Sequence, residues 1–328
     1  MYCDFFDLKL YPSYNDVKEN TRRKKFSAVF GVQSAEKIFL SANLERFTIF
    51  VTSDYIEGQN YARELSVYSN KPFEFLPPRQ EVLLFKAEGQ KTRLERFVVL
   101  YKIITQQISG VVTTPEGLSQ LLPDAKAFFK SIFTVKTDDE LSLVDFCKKL
   151  TDNGFAKKET LETAGQYCVR GDIVDVYLPQ YSSPVRFDFF DDTVESIKII
   201  DKETFRSVDK IKQVDVFAIK DVYNPDIALN NARVEASKQK LSANAQNRLD
   251  GLLSTLEMDA DNPWLYPFDQ TSFLAEYLPS NAIIVWDETQ NIQQNHNAIN
   301  TSIILCLPIF THIYYTILMM ALKILNNR

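Results

Sequence analysis

Histidine is nearly absent. The 328 residues hold two, His296 and His312, both close to the C-terminus. A Ser-His-Asp triad, an HExxH metal site and a Cys–His nucleophile each need a histidine set in a folded core, so those chemistries fall away. Cysteine is almost as sparse. Cys3, Cys147, Cys168 and Cys306 stand far apart with no CxxC pair, which argues against a zinc site or a disulfide framework and fits a reducing cytosol. Positive charge is in deficit too. The 37 Lys and Arg against 43 Asp and Glu leave a net charge of −6, so the whole chain is not built to coat nucleic acid, and a polyanion would need a local basic patch. With 9 Gly, 13 Pro and 45% hydrophobic residues, collagen-like, low-complexity and wholly disordered chains are excluded. The length suggests two or three domains, each able to bury a core.

The two ends differ. The opening MYCDFFDLKL carries early acidic residues and lacks both a positive n-region and a small-residue cleavage site, so no signal peptide is expected. Residues 301–322 read TSIILCLPIFTHIYYTILMMAL without a formal charge, close to the ~20 apolar residues that cross a bilayer.

Between residues 25 and 115 apolar runs alternate with amphipathic ones. Strands are predicted at 47–52, 82–85 and 110–115, with helices over 56–68 and 92–106 between them. That alternation implies a parallel sheet with covering helices and right-handed crossovers. From 123 to 218 the pattern changes. A strand is predicted at 131–135 and a short helix at 142–152, with Ser142 as its cap and Asp145 three residues on. Strands follow at 165–170, 173–177, 185–190 and 194–200, the last two joined by the turn Asp191-Asp192. This is an α+β module on an antiparallel sheet. In 185–190, Val185, Phe187 and Phe189 alternate with Arg186, Asp188 and Phe190, so the second set shares one face. A polar helical stretch over 231–253, an aromatic cluster (Trp264, Tyr266, Phe268, Phe273) and a turn into a strand at 278–286 complete the pass.

Three segments in order carry a specific resemblance. They are Gly165-Gln-Tyr-Cys-Val-Arg-Gly-Asp-Ile-Val-Asp-Val-Tyr177, Pro184-Val-Arg-Phe-Asp-Phe-Phe-Asp-Asp192 with Val194-Glu-Ser-Ile197, and Phe205-Arg-Ser-Val208. They resemble the UvrB-like N-terminal region of the bacterial transcription-repair coupling factors, with flanking support from 111–115 and 278–285, over about residues 20 to 290. The resemblance implies an α/β fold: a degenerate helicase-like parallel-sheet domain, split into 1–122 and 219–290, with an inserted α+β antiparallel-sheet domain at 123–218 and an anomalous apolar tail at 291–328. It implies that the inserted domain docks on UvrA. It also implies that RNA polymerase and DNA are reached only through domains missing here, and that the setting is the cytoplasm. At the family's motif positions, Arg170, Arg186 and Phe190 are the residues implied to contact UvrA. From the pattern alone two readings stay open: both arginines pair with Asp172, Asp175 or Asp188 across strands, or they face a partner. The resemblance favours the partner.

UvrB carries a phosphate loop, and the matching stretch here is Gly31-Val-Gln-Ser-Ala-Glu-Lys37. Its second glycine and the hydroxyl after the lysine are missing, and Glu36 adds a negative charge. A strand-to-helix turn that keeps Gly31 and Lys37 without binding ATP is expected, and no cofactor. Asp188, Asp191 and Asp192 offer oxygen ligands near a turn, but Arg186 on the same face is expected to pair with Asp188, so no metal is expected. The basic run 22–25 reads as a solvated loop, the aromatic cluster as packing, and Cys147 and Cys168 as inert core thiols. The alternatives are a UvrB-like DNA-dependent ATPase, which would need an intact phosphate loop, and a membrane-anchored protein resting only on the tail. The abrupt change after residue 290, with Pro308 and His312 inside the apolar run, favours a sequence that leaves its native reading frame or is truncated there. Membrane contact is implied only if the tail is genuine.

Overall fold

The computed structural model describes residues 12–23, 27–32, 34–79, 89–237 and 263–288, together with Gly251 and Ser254. The strand predicted at 82–85, the helical stretch beyond Ser237, Lys24, Lys25, both histidines, Cys3, Cys306 and the tail lie outside the described residues. The chain is a mixed α/β protein with parallel and antiparallel sheets. Among the described residues no helix is long and apolar enough to cross a membrane.

In chain order the first elements are α1 (Pro12–Arg22), α2 (Ser34–Ala42), β1 (Thr48–Val51), α3 (Tyr55–Tyr68), β2 (Phe73–Phe75), α4 (Gln90–Ile104), β3 (Gly110–Thr113) and α5 (Pro115–Ser119). Next come β4 (Leu122–Pro123), α6 (Ala125–Ser131), β5 (Phe133–Lys136), α7 (Leu143–Asp152), β6 (Ala156–Lys157), β7 (Gln166–Arg170), β8 (Ile173–Val176), β9 (Val185–Phe190) and β10 (Thr193–Ile200). After these come β11 (Ser207–Ile211), β12 (Gln213–Val216), α8 (Pro225–Ser237), a 3₁₀ segment (Pro263–Phe268), β13 (Thr271–Ser272), α9 (Leu274–Tyr277) and β14 (Ile283–Trp286). They group into two compact units: Met1–Glu88 with Val99–Gln120 and Tyr277–Arg328, and Gly89–Val98 with Leu121–Glu276.

The first unit is built on a four-stranded parallel sheet in the order β14-β1-β3-β2. Every residue of β1 and β3 is buried, which is why both read as unbroken apolar or β-branched runs. Ile38, Phe50, Ala62, Leu65, Phe73 and Val112 form its core. Asp54 starts α3 by accepting the Glu57 N–H, and Thr114 does the same for α5 ahead of Pro115, two ordinary N-terminal caps. β2 was not legible because Phe73–Phe75 is three residues between prolines, too short for a period to show. The basic run is corrected: Arg22 ends α1 and Arg23 bonds Glu19 one turn back, so its first half closes a helix instead of forming a loop. The turn at Gly31 is corrected as well. Residues 27–30 form no strand, so the helix α2 starts from an irregular segment.

The second unit carries a six-stranded sheet in the order β11-β10-β9-β8-β7-β6, antiparallel except for the β6–β7 pair. The helix α7 covers its inner face. Ser142 caps it by accepting the Asp145 N–H, as the sequence predicts. Its far end closes on Gly154 at φ 89°, with the Phe155 N–H bonded to the Leu150 carbonyl and the Gly154 N–H to that of Thr151. That left-handed position suits glycine, and the two bonds satisfy carbonyls the helix leaves open. The seven-residue α6 was missed, and the strand predicted from 131 begins at Phe133 because Ser131 still belongs to that helix.

Candidate partner-docking face

The strand β9 sorts its side chains by parity. Val185, Phe187 and Phe189 are buried, whereas Arg186 and Asp188 are half-buried and Phe190 is exposed. On the inner side the Phe146 ring of α7 stands 4.7 Å from Phe187 and 5.7 Å from Phe189 between centroids. The register then fixes the outer face. Asp175 and Lys198 flank Arg186, Ile173 and Ser196 flank Asp188, and Arg170 lies opposite Ile173. Since residues two apart on a strand share a side, Arg170, Asp175, Arg186, Asp188, Phe190 and Lys198 all belong to that face.

Its charges are arranged as two cross-strand pairs. Arg186 Nε and Nη2 donate to Asp175 Oδ1 and Oδ2 at 2.6 and 2.8 Å. The Asp175 side chain is 1% exposed and that of Arg186 20%, so the carboxylate sits beneath the guanidinium. The bonds to Asp175 push the Arg186 pKa further up, against the effect of burial. Asp188 accepts from Ser196 Oγ and Lys198 Nζ, each at 2.5 Å. Burial by itself raises the Asp188 carboxyl. The bonds from Lys198 and Ser196, with the charges of Lys198 and Arg186, outweigh it and hold the group below the ordinary aspartate value.

Two groups stay open on this face. Phe190 is 68% exposed and sits where the two-residue turn at Asp191, itself at φ 49°, joins β9 to β10. Arg170 is exposed at the end of β7, its guanidinium carbon 5.6 Å from the centre of the Phe205 ring. An exposed arginine on a ring face and an exposed phenylalanine are side-chain types that carry binding energy at protein interfaces.

Of the acids expected as partners for Arg186, the structure selects Asp175, directly across on β8, over Asp188 on its own strand. Direct cross-strand neighbours stand closer than residues two apart on one strand, so the register decides the partner. Of the three aspartates considered for magnesium, Asp188 is turned onto Lys198, and among the described residues no group of three or more His, Cys, Asp or Glu is arranged to hold a metal. Sequence reasoning missed Lys198 and Phe205. The β10 alternation marks Lys198 as outward-facing; nothing local to Phe205 signals that it reaches Arg170.

The other sequence candidates fall elsewhere. Gly31 has φ 72° with open space around it. Lys37, on α2, donates from Nζ to both Asp287 oxygens at 2.7 and 2.9 Å and lies 5.1 Å from the Tyr61 ring centre. Burial lowers its pKa, but the bonds to Asp287 and Tyr61 prevail and raise it. Tyr266 and Phe268 pack on Val222, Ala228 and Leu265. Cys168 is buried and Cys147 half-buried, and burial pushes both thiols up, away from the reactive thiolate.

Residues 133–221 match the family model described as the UvrB interaction domain. That span runs from β5 past β12 and contains the whole outer face. The curated transcription-repair-coupling factor of Staphylococcus haemolyticus (strain JCSC1435) is 22% identical over 322 residues, covering 89% of this chain. The chain resembles the transcription-repair coupling factors. The coupling factor of Staphylococcus epidermidis (strain RP62A) is 23% identical over 88% of the chain, and that of Bacillus subtilis (strain 168) 21% identical over 85%. The chain spans about a quarter of the length of these coupling factors: 28%, 27% and 25% respectively.

Proposed function

We propose that the chain is the recruiting part of a transcription-repair coupling factor, which docks on UvrA and so brings nucleotide excision repair to a stalled RNA polymerase. Arg170, Arg186 and Phe190 make the contact. The observation that carries this reading is the exposed Phe190, on the polar side of β9 and inside the span that matches the UvrB interaction domain. A large apolar ring left in water at the end of a charged row suits a partner that buries it.

Under this reading residues 123–218 are the docking domain, and 1–122 with 219–290 are a degenerate helicase-like domain split around it. Of this second part, the described residues up to Glu276 group with the second unit, and β14 stands at the edge of the parallel sheet. The helicase-like part uses no nucleotide under this reading: the stretch Gly31–Lys37 lacks the second glycine and the hydroxyl of a phosphate loop, and the pairing of Lys37 with Asp287 is in keeping with that. The polymerase and DNA are met through other parts of a longer protein, in the cytoplasm.

The test is a titration of UvrA with the full chain and its Phe190→Ala variant. Truncating a central interface aromatic costs about 2 kcal/mol, or roughly thirtyfold in Kd. Thermal stability should stay within about 0.5 kcal/mol, as for other exposed sites. An unchanged Kd for Phe190→Ala refutes the assignment.

A further inference from the structure

The Arg170–Phe205 contact has no role in the docking residues named so far. Arg170 ends β7 opposite Ile173, whereas Phe205 belongs to the connection between β10 and β11. Its backbone is held at φ 55°, a left-handed conformation that is a genuine outlier for a bulky side chain. Local bonds fix it there. Asp201 Oδ1 accepts from the Glu203 and Thr204 N–H groups and from the Thr204 hydroxyl, while the Phe205 N–H reaches the Asp201 carbonyl and the Asp201 N–H that of Arg206. The result of this closed turn is that a half-buried ring meets the guanidinium of Arg170. An exposed arginine otherwise samples many rotamers, and ordering it on binding costs entropy.

We infer that Phe205 is a positioning residue for the docking face: its ring, aimed by the left-handed turn, preorganises the Arg170 guanidinium for UvrA. The inference rests on the reading of Arg170 as a UvrA contact and adds how that side chain is held. Arg170 offers its planar head to an acceptor on the partner while one flat side stays on the ring.

The experiment uses the full chain and UvrA with four variants. Phe205→Gly removes the ring and keeps the turn, since glycine takes φ 55° without strain. Phe205→Tyr keeps a ring. Arg170→Ala and the double variant Arg170→Ala/Phe205→Gly complete a cycle. Phe205→Gly should raise Kd about twofold to fivefold, the range of a partly exposed cation–π contact, and Phe205→Tyr should restore it. The double variant should be no weaker than Arg170→Ala alone, because the ring acts only through the guanidinium. The Arg170 Nε–H resonance should move on loss of the ring current in Phe205→Gly and stay in Phe205→Tyr. If Arg170→Ala leaves Kd unchanged, the docking assignment of Arg170 fails. If Arg170→Ala weakens binding but Phe205→Gly does not, or if the effects of Arg170→Ala and Phe205→Gly simply add, the positioning role is overturned and the docking assignment stands.

Discussion

Removing the arginine of a cross-strand pair tests how the outer face is held together. In Arg186→Ala the Asp175 carboxylate, 1% exposed, loses both of its guanidinium bonds and stays beneath the sheet surface. Breaking a buried pair from one side costs about 3–5 kcal/mol, since the remaining charge is left uncompensated. The Arg186 side chain keeps 20% of its surface in water, which lets solvent reach the vacated site and places the expected loss near the low end, about 3 kcal/mol. Replacing both partners by apolar residues, Arg186→Met with Asp175→Leu, should return most of that loss, because no charge is stranded. Urea unfolding of the three proteins measures the differences from the midpoints at constant slope. A loss under about 1 kcal/mol for Arg186→Ala, or a double variant as unstable as the single one, refutes the view that the pair is a buried structural bond. The outcome also governs how binding data are read. Weakened UvrA association in Arg186→Ala reports on a damaged face as well as on a missing contact, which is why Phe190 is the cleaner probe.

Asp188 titrates below the ordinary aspartate value, so its pairing stabilises the fold above that value and the contribution is lost as pH falls through the lower native one. Asp188→Asn should therefore lower stability at neutral pH and flatten its decline in acid, measured by urea midpoints from pH 7 downward; a parallel decline would refute the coupling. Gly110→Ala would press a methyl group onto the Thr48 carbonyl oxygen and the Phe73 ring, so overpacking should cost about 1–3 kcal/mol in thermal unfolding; a neutral substitution would show that the sheet yields there. A fluorescent ATP analogue should bind neither the chain nor Lys37→Ala, and micromolar binding that the substitution abolishes would revive a nucleotide site.

Long-period features were legible in the sequence and tertiary choices were not. The run Thr48–Val51 reads as a buried strand because all four residues suit one, and Val185–Phe190 reads as two-faced because its aromatics alternate with Arg186 and Asp188. The cap Ser142 is equally local. What escaped was whatever depends on distant chain: that Arg186 chooses Asp175 over Asp188 is set by strand register, and that Lys37 finds Asp287 is set by α2 and the end of β14. The short β2 and α6 escaped because three and seven residues hold too few repeats for a period to emerge. At the candidate site, parity alone placed Arg186, Asp188 and Phe190 together, whereas the Phe205 ring arrives through a turn whose conformation runs against its residue type.

The edge strand β14 has a consequence for synthesis. Ile283 is hydrogen-bonded alongside Thr48 although 235 residues separate them. On a ribosome making about 5–20 residues per second, the nascent β1 waits on the order of 10–50 s for that neighbour. Throughout that interval an unbroken apolar strand presents bare amides along one side, open to any passing peptide. A nascent chain that stops short of residue 286 therefore carries this parallel sheet with one side of β1 unpaired.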